Sequence, residues 1–163
     1  MRRGITSHID YLRRRLKRID RDIDRAVRGC ELWRHANELM DSVPGVGPVL
    51  RSSMLAWLPE LGRLNRVEVA KLVGIAPLND DSCKFRGYRH IGGGRAPLRK
   101  VLFMATMGAM LDNPQLKAYY ARLRAKGKLH KVALVATIRN LLLILNAIIK
   151  TDTPWCELCP PGA

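Results

Sequence analysis

Apolar residues recur along the N-terminal stretch at alternating spacings of four and three, through Ile5, Ile9, Leu12, Leu16, Ile19, Ile23, Ala26, Cys30 and Trp33. That repeat predicts one helix over residues 5 to 33 carrying a coiled-coil seam. A stripe of this length needs cover from a partner chain, from another part of the protein or from the domain that follows. A second copy, giving a homo-oligomer, is the economical solution. The other faces carry Arg13, Arg14, Arg15, Lys17, Arg18, Arg21, Arg25 and Arg28 against Asp10, Asp20, Asp22 and Asp24. Charge alone leaves a solvated face and a nucleic-acid-facing one both open. Gly29 interrupts the helix weakly and marks the junction with a globular part near residue 30.

Helical spacing continues through Cys30, Trp33, Asn37 and Met40, then resumes at Val49, Leu50, Met54 and Leu55 after Pro48, a residue suited to a first helical turn. Between these flanks stands Val43-Pro44-Gly45-Val46-Gly47-Pro48, the pattern of a helix-hairpin-helix clamp. Gly45 and Gly47 allow positive φ and let the chain come close to a ligand. The backbone N–H groups of Gly45, Val46 and Gly47 would then meet a phosphate at the start of the second helix. Six residues fit an ordinary turn between helices as well.

Beyond the hairpin, Leu58-Pro59-Glu60-Leu61-Gly62 ends the second helix, and Asn65 caps a short helix through Leu72. The stretch from Gly74 to Gly94 is too rich in glycine, polar and basic residues for a helix, and Lys84 to Ile91 forms at most a short hairpin around Gly87. Long loops of this kind tend to carry function. Three helices follow. Pro97 to Leu111 places Leu98, Val101, Leu102, Ala105 and Ala109 on one face; Asn113 and Pro114 cap and start a helix ending at Gly127; and Leu129 to Lys150 is the central core element. With three prolines and a glycine, residues 151–163 are expected to be a poorly ordered tail. The expected fold is all-α, divided as a coiled-coil helix (1–34), a helical domain (35–150) and a tail (151–163).

Composition narrows the partner. Twenty-nine Lys and Arg stand against 14 Asp and Glu, a formal net charge of +15. An anionic polymer suits that balance, with a membrane surface as the rival. The stretch Val132 to Ile149 is nearly long enough to span a bilayer, but Arg139, Asn140 and Asn146 interrupt it, so no membrane is expected. The basic start runs into charged helix rather than an apolar signal segment. Cys30, Cys83, Cys156 and Cys159 form no secreted disulfide framework, which places the chain in a reducing cytoplasm. Cys156 and Cys159 have metal-ligand spacing, yet no second pair or nearby histidine completes a site, and none is assigned. The histidines, His8, His35, His90 and His130, are scattered.

The long loop gathers Asp80, Asp81, Ser82, Cys83, Lys84, Arg86 and Arg89, with Arg95 and Arg99 close behind. A serine hydroxyl can attack a phosphodiester if a base takes its proton and cations stabilise the charge growing on phosphate. The residues do not identify the base. They equally fit a loop in which Asp80 or Ser82 closes a turn while Lys84, Arg86, Arg89, Arg95 and Arg99 grip DNA passively.

The ordered combination of motifs is more specific than any one of them. It runs from the hairpin through Leu58-Pro59-Glu60-Leu61-Gly62, Gly74-Ile75-Ala76-Pro77, Ser82, Arg86-Gly87, Arg89, Ile91 and Leu98-Arg99. It continues with Asn113-Pro114, Tyr120, Gly127-Lys128 and Lys131-Val132-Ala133-Leu134. Over residues 36–150 this closely resembles the C-terminal transposase domain of the IS-one-ten (IS116/IS902-like) insertion-sequence family, the DEDD-type recombinases guided by a bridge RNA. The heptad helix also fits, since that family has a coiled coil upstream of this domain.

The resemblance implies that Ser82 is the nucleophile and forms a covalent bond to DNA. Two neighbours depart from the family pattern: Cys83 replaces a glycine after the serine, and Gly92-Gly93-Gly94 replaces a Ser-Lys-x-Gly-like run. The resemblance also implies an N-terminal RuvC-like domain whose four acidic residues hold Mg²⁺. This chain opens at the coiled coil, so no cofactor is expected within it. A truncated or decayed gene product, the C-terminal part of a longer protein, and a protein working with a separate metal-binding chain all fit that start. The expected function is the DNA-binding, serine-bearing half of a transposase, with DNA and guide RNA as partners. The alternatives are a non-catalytic DNA- or RNA-binding module and a purely structural dimerisation fragment.

Overall fold

The structure, a computed structural model, describes residues 2–78 and 90–156. Its helices are α1 (Arg2–Gly29), α2 (Glu31–Asp41), α3 (Pro48–Trp57), α4 (Arg66–Val73), α5 (Ala96–Asp112), α6 (Pro114–Ala125) and α7 (His130–Thr151). Two short strands, β1 (Pro77–Leu78) and β2 (His90–Ile91), pair antiparallel with Leu78 opposite His90. The all-α expectation holds.

The expected single helix over residues 5 to 33 is corrected. Cys30 takes an extended conformation (φ −113°, ψ 120°), which ends α1 at Gly29, and its carbonyl accepts from Arg34 N at 2.9 Å to start α2. Glycine's poor helix propensity supplies the weak point, and the break re-aims the chain into the globular part. The seam of α1 is uncovered in the single chain: Ile5 is 62% exposed, Leu16 59% and Ile19 48%.

Two asparagines set helix starts as the sequence predicts. The Asn65 side chain accepts from Val67 N and Glu68 N, while the Glu68 carboxylate accepts from Asn65 N, a reciprocal capping box on α4. Asn113 accepts from Gln115 N and Leu116 N, and Pro114 fills the first turn of α6, where no N–H is needed.

The core forms around α7, which packs against α2, α4, α5 and α6. Leu134, Ile138, Leu141, Leu142 and Leu145 are buried along it, facing Leu50, Met54, Leu98, Leu102 and others in one cluster. By length and composition α7 would cross a membrane, but its apolar residues are spent on these neighbours. Asn146, one of the polar interruptions, is buried: its amide oxygen accepts from Gly62 N at 2.9 Å and its nitrogen donates to Leu64 O at 3.0 Å. A buried amide so satisfied ties the connection between α3 and α4 to the central helix.

The expected tail from residue 151 is also corrected. Thr151 completes α7, Asp152 turns the chain with φ 52° and pairs with His35, and Trp155 N donates to Ser42 Oγ at 2.8 Å. Trp155 packs partly buried against the core, and that apolar contact is why the segment docks. Residues 157–163 lie outside the described residues.

Candidate nucleic-acid interface

The turn between α2 and α3 is anchored from inside. Val43 and Val46 are 1% and 5% exposed, so both side chains belong to the core, and the Val46 N–H is paired as well, donating to Val43 O at 3.1 Å. Gly45 has φ +82°, and a Cβ there would stand 2.4 Å from Ala109 Cα. Its missing side chain therefore lets α5 approach the turn. Gly47 does not use the positive φ that glycine allows: as N-cap of α3 it is extended (φ −78°, ψ 168°), the usual conformation just outside a helix. It is exposed, and a Cβ built on it would meet nothing within 4 Å.

No side chain caps the start of α3. Pro48 has no N–H and the Leu50 and Arg51 N–H groups turn back to Gly47 O, which leaves the Val49 N–H and the positive end of the helix dipole at an exposed position, an arrangement that attracts anions. Lys100 of α5 lines the same groove as Gly47, Pro48 and Val49, adding a cation that sequence reasoning passed over. Arg51 braces the hairpin from α3: it pairs with Asp41 of α2 and donates to Val46 O at 3.5 Å. Burial pushes the Arg51 pKa below its ordinary value.

A second cluster frames the long loop. Ser82, Lys84, Arg86 and Arg89, with Asp80, Asp81 and Cys83, lie outside the described residues, but both roots of the segment are fixed by the β1–β2 ladder. Arg95 donates from Nη1 and Nη2 to the two Glu60 carboxylate oxygens, each at 2.7 Å, and from Nη1 to Trp57 O at 2.7 Å. Arg99 Nη1 reaches Gly93 O at 2.6 Å and the carbonyls of Val73 and Gly74 at 3.3 Å each. Gly94, with φ +59°, lies so close to the end of α4 that a Cβ would come within 2.5 Å of Leu72 O. The two arginines expected to grip nucleic acid thus bond to protein groups. They lock the end of α4, the return of the loop and the start of α5 into one frame.

The Arg95–Glu60 pair has a pH signature. The hydrogen bond from Arg95, helped by Glu60's own backbone N–H, lowers the Glu60 pKa from 4.5 to about 2. A depressed folded-state pKa gives stability that is present above the unfolded value and lost as pH falls through the folded one. The melting-temperature gap between the parent and Glu60→Gln should therefore be widest above pH 4.5 and close as pH falls toward 2. A gap independent of pH would mean that the pair contributes nothing.

Beneath the ladder lies a cavity of about 560 Å³. Ile75, Pro77 and Ile91 from the loop roots and Val132, Val135 and Leu143 from α7 form apolar walls. Tyr119, His90, Lys131, Arg139 and Asn140 supply polar atoms, and no acidic residue is among the described residues that line it. Arg139 Nε is buried without a hydrogen-bond partner.

The profile of the Transposase IS116/IS110/IS902 family matches residues 37–121, a span holding the hairpin, both roots of the loop and the Arg95–Arg99 frame. The chain belongs to this transposase family. It is 30% identical over 132 residues to the uncharacterized 44.8 kDa protein of insertion element IS116 from Streptomyces clavuligerus, a match covering 80% of this chain and 33% of that protein. The uncharacterized 43.6 kDa protein of insertion element IS110 from Streptomyces coelicolor is 27% identical over 76% of this chain and 31% of its own length. The pilin gene-inverting protein of Moraxella bovis is 25% identical over 86% of this chain and 45% of its own length. The chain thus spans about a third of the insertion-element relatives it matches.

In this transposase-family chain, no group of three metal-ligating side chains occurs among the described residues, so these do not fit a Mg²⁺ site. Cys30 and Cys156 are free thiols, half-buried and exposed respectively. What the sequence missed is the cavity: Tyr119, His90 and Lys131 come from three separate elements. The signal available was Arg139 and Asn140 breaking the apolar run of α7, a cost that needs a reason.

Proposed function

We propose that this chain is the DNA-engaging, nucleophile-bearing part of a recombinase that acts in DNA transposition. The observation that carries the reading is the family match over residues 37–121, which spans hairpin and loop together. On this reading the exposed start of α3, through its Val49 N–H, and Lys100 hold a phosphate, while Lys84, Arg86 and Arg89 contact the strand beside Ser82. The Ser82 Oγ–P bond forms as a strand P–O bond breaks, and the serine proton passes to a base. Arg95 and Arg99 position the loop from behind. Metal chemistry from a RuvC-like domain, and a guide RNA, are further partners that the resemblance implies.

Binding should be driven by phosphate contacts. For duplex DNA, each neutralised phosphate adds roughly −0.9 to the slope of log K against log salt, so a salt series with fluorescence anisotropy should show a steep decline. Gly47→Val should weaken binding by about three- to tenfold through lost close approach, with stability unchanged, because the added group meets nothing in the chain. Salt-insensitive binding, or an unimpaired Gly47→Val, would sink the clamp reading.

The uncovered seam of α1 is proposed to pair with a second copy, since the apolar repeat on one face has the spacing of a coiled-coil interface. Sedimentation across a range of concentrations should show a dimer. A strict monomer at the highest concentration would rule the pairing out.

A further inference from the structure

We infer that the cavity between the loop roots and α7 holds one unstacked nucleotide of a nucleic-acid strand, its phosphate on Arg139 and Lys131 and its base against the apolar wall. The inference rests on the DNA-engaging reading above and adds a second contact, away from the hairpin. Three observations converge on it. Arg139 lines the cavity and its Nε has no hydrogen-bond partner among the described residues, so at least part of its guanidinium is uncommitted to any protein acceptor there. Arg139 shares the cavity with Lys131, and no acidic residue is among the described residues that line it, so the described lining favours an anion as ligand. Most of the wall is apolar, however, with Val132, Val135, Ala136 and Leu143 following one face of α7.

A free phosphate would leave that wall bare. A nucleotide satisfies both halves, with an anionic group for the guanidinium and a flat π-face for the apolar side. At about 560 Å³ the cavity falls within the range typical of small-ligand pockets. Asn140 and His90 add hydrogen-bonding capacity at the edge, while Tyr119 adds an aromatic surface of the kind on which single-stranded bases stack. A base paired within a duplex is already stacked and shielded, so the site should favour single strands over duplex.

The test measures affinity of the whole chain for a short labelled single strand, as DNA and as RNA, and for the DNA duplex. Arg139→Gln removes the charge at nearly constant size, and Ala136→Leu fills the cavity without changing charge. Lys131→Gln removes a cation at an exposed position where the fold is not at stake, and Lys126→Gln removes the same charge outside the cavity. Arg139→Gln and Ala136→Leu should each weaken single-strand binding about tenfold, consistent with losing one stacked and anchored nucleotide. Lys131→Gln should weaken it more than Lys126→Gln does. Duplex binding should change no more than with Lys126→Gln. Loss in the DNA arm, the RNA arm or both supports the site and identifies the strand it takes. If Ala136→Leu binds like the parent, or if duplex and single strand lose equally, the inference is overturned while the transposase reading stands. A parent that binds no nucleic acid would overturn both.

Discussion

Gly45→Ala should destabilise the chain by about 2 to 4 kcal/mol, the sum of a left-handed backbone penalty of about 1 to 2 kcal/mol and an overpacking penalty of similar size. Gly45 holds φ +82°, and the new methyl would stand 2.4 Å from Ala109 Cα and 2.9 Å from its Cβ, so relief requires α5 to move as a body. Ala109 is fully buried and continuous with the core, which leaves little room for that movement. Against a total stability of about 5 to 15 kcal/mol the loss is large, and the melting temperature should fall by roughly 4 to 15 °C. Gly47→Ala, two residues along, is the control: it has open space and an ordinary φ, so its effect should stay within about 0.5 kcal/mol. Urea denaturation of both variants decides the matter. If Gly45→Ala unfolds at the parent's midpoint, α5 does not approach the turn as described.

That contrast shows how far the sequence could be read. The two glycines look interchangeable as letters, since each allows positive φ and a close approach to phosphate. Which neighbour comes up against a glycine is a tertiary fact. Here Ala109, 64 residues away, takes the space at Gly45 and leaves only Gly47 open. Elements marked by local chemistry were legible: Asn65 and Asn113 sit where helices start, Pro48 and Pro114 fill first turns, and the apolar run of α7 is central. The break at Cys30 was half legible, because Gly29 signals weakness but the heptad spacing runs straight through it. Docking of Trp155 was not legible, since prolines nearby read as disorder while the apolar contact that holds it comes from the distant core.

The candidate site divides in the same way. Arg95 and Arg99 were grouped with Lys84, Arg86 and Arg89 on charge and proximity in sequence. Their distinguishing feature is the company they meet in three dimensions: Glu60 lies 35 residues from Arg95, and the Val73 and Gly74 carbonyls 26 and 25 residues from Arg99. A basic cluster in a sequence therefore includes residues, such as Arg95 and Arg99, whose charge is taken up by the frame. Glu60→Gln should test this framing role, loosening the loop's support while adding no repulsion for DNA.

Ser82→Ala should abolish formation of a covalent protein–DNA adduct while leaving nucleic-acid affinity within about twofold of the parent, since a nucleophile makes its essential contribution only as the new bond forms. An alanine in its place cannot form the ester at all. The family resemblance assigns the metal-holding carboxylates to a RuvC-like domain, and on the proposed function the chain by itself should bind DNA without cutting it. The decisive assay therefore supplies a RuvC-like domain, Mg²⁺ and guide RNA, and looks for a labelled strand that co-migrates with the protein after denaturation. The parent should give the adduct and Ser82→Ala none. Ser82→Cys separates chemistry from structure, because a thiolate can still attack phosphorus and should leave a weaker, pH-sensitive adduct where a purely structural serine would leave none. An adduct that persists in Ser82→Ala assigns the nucleophile to another residue. If the parent forms none under any of these conditions, Cys83 and Gly92 to Gly94, the two departures from the family pattern beside the loop, become the positions to revert first.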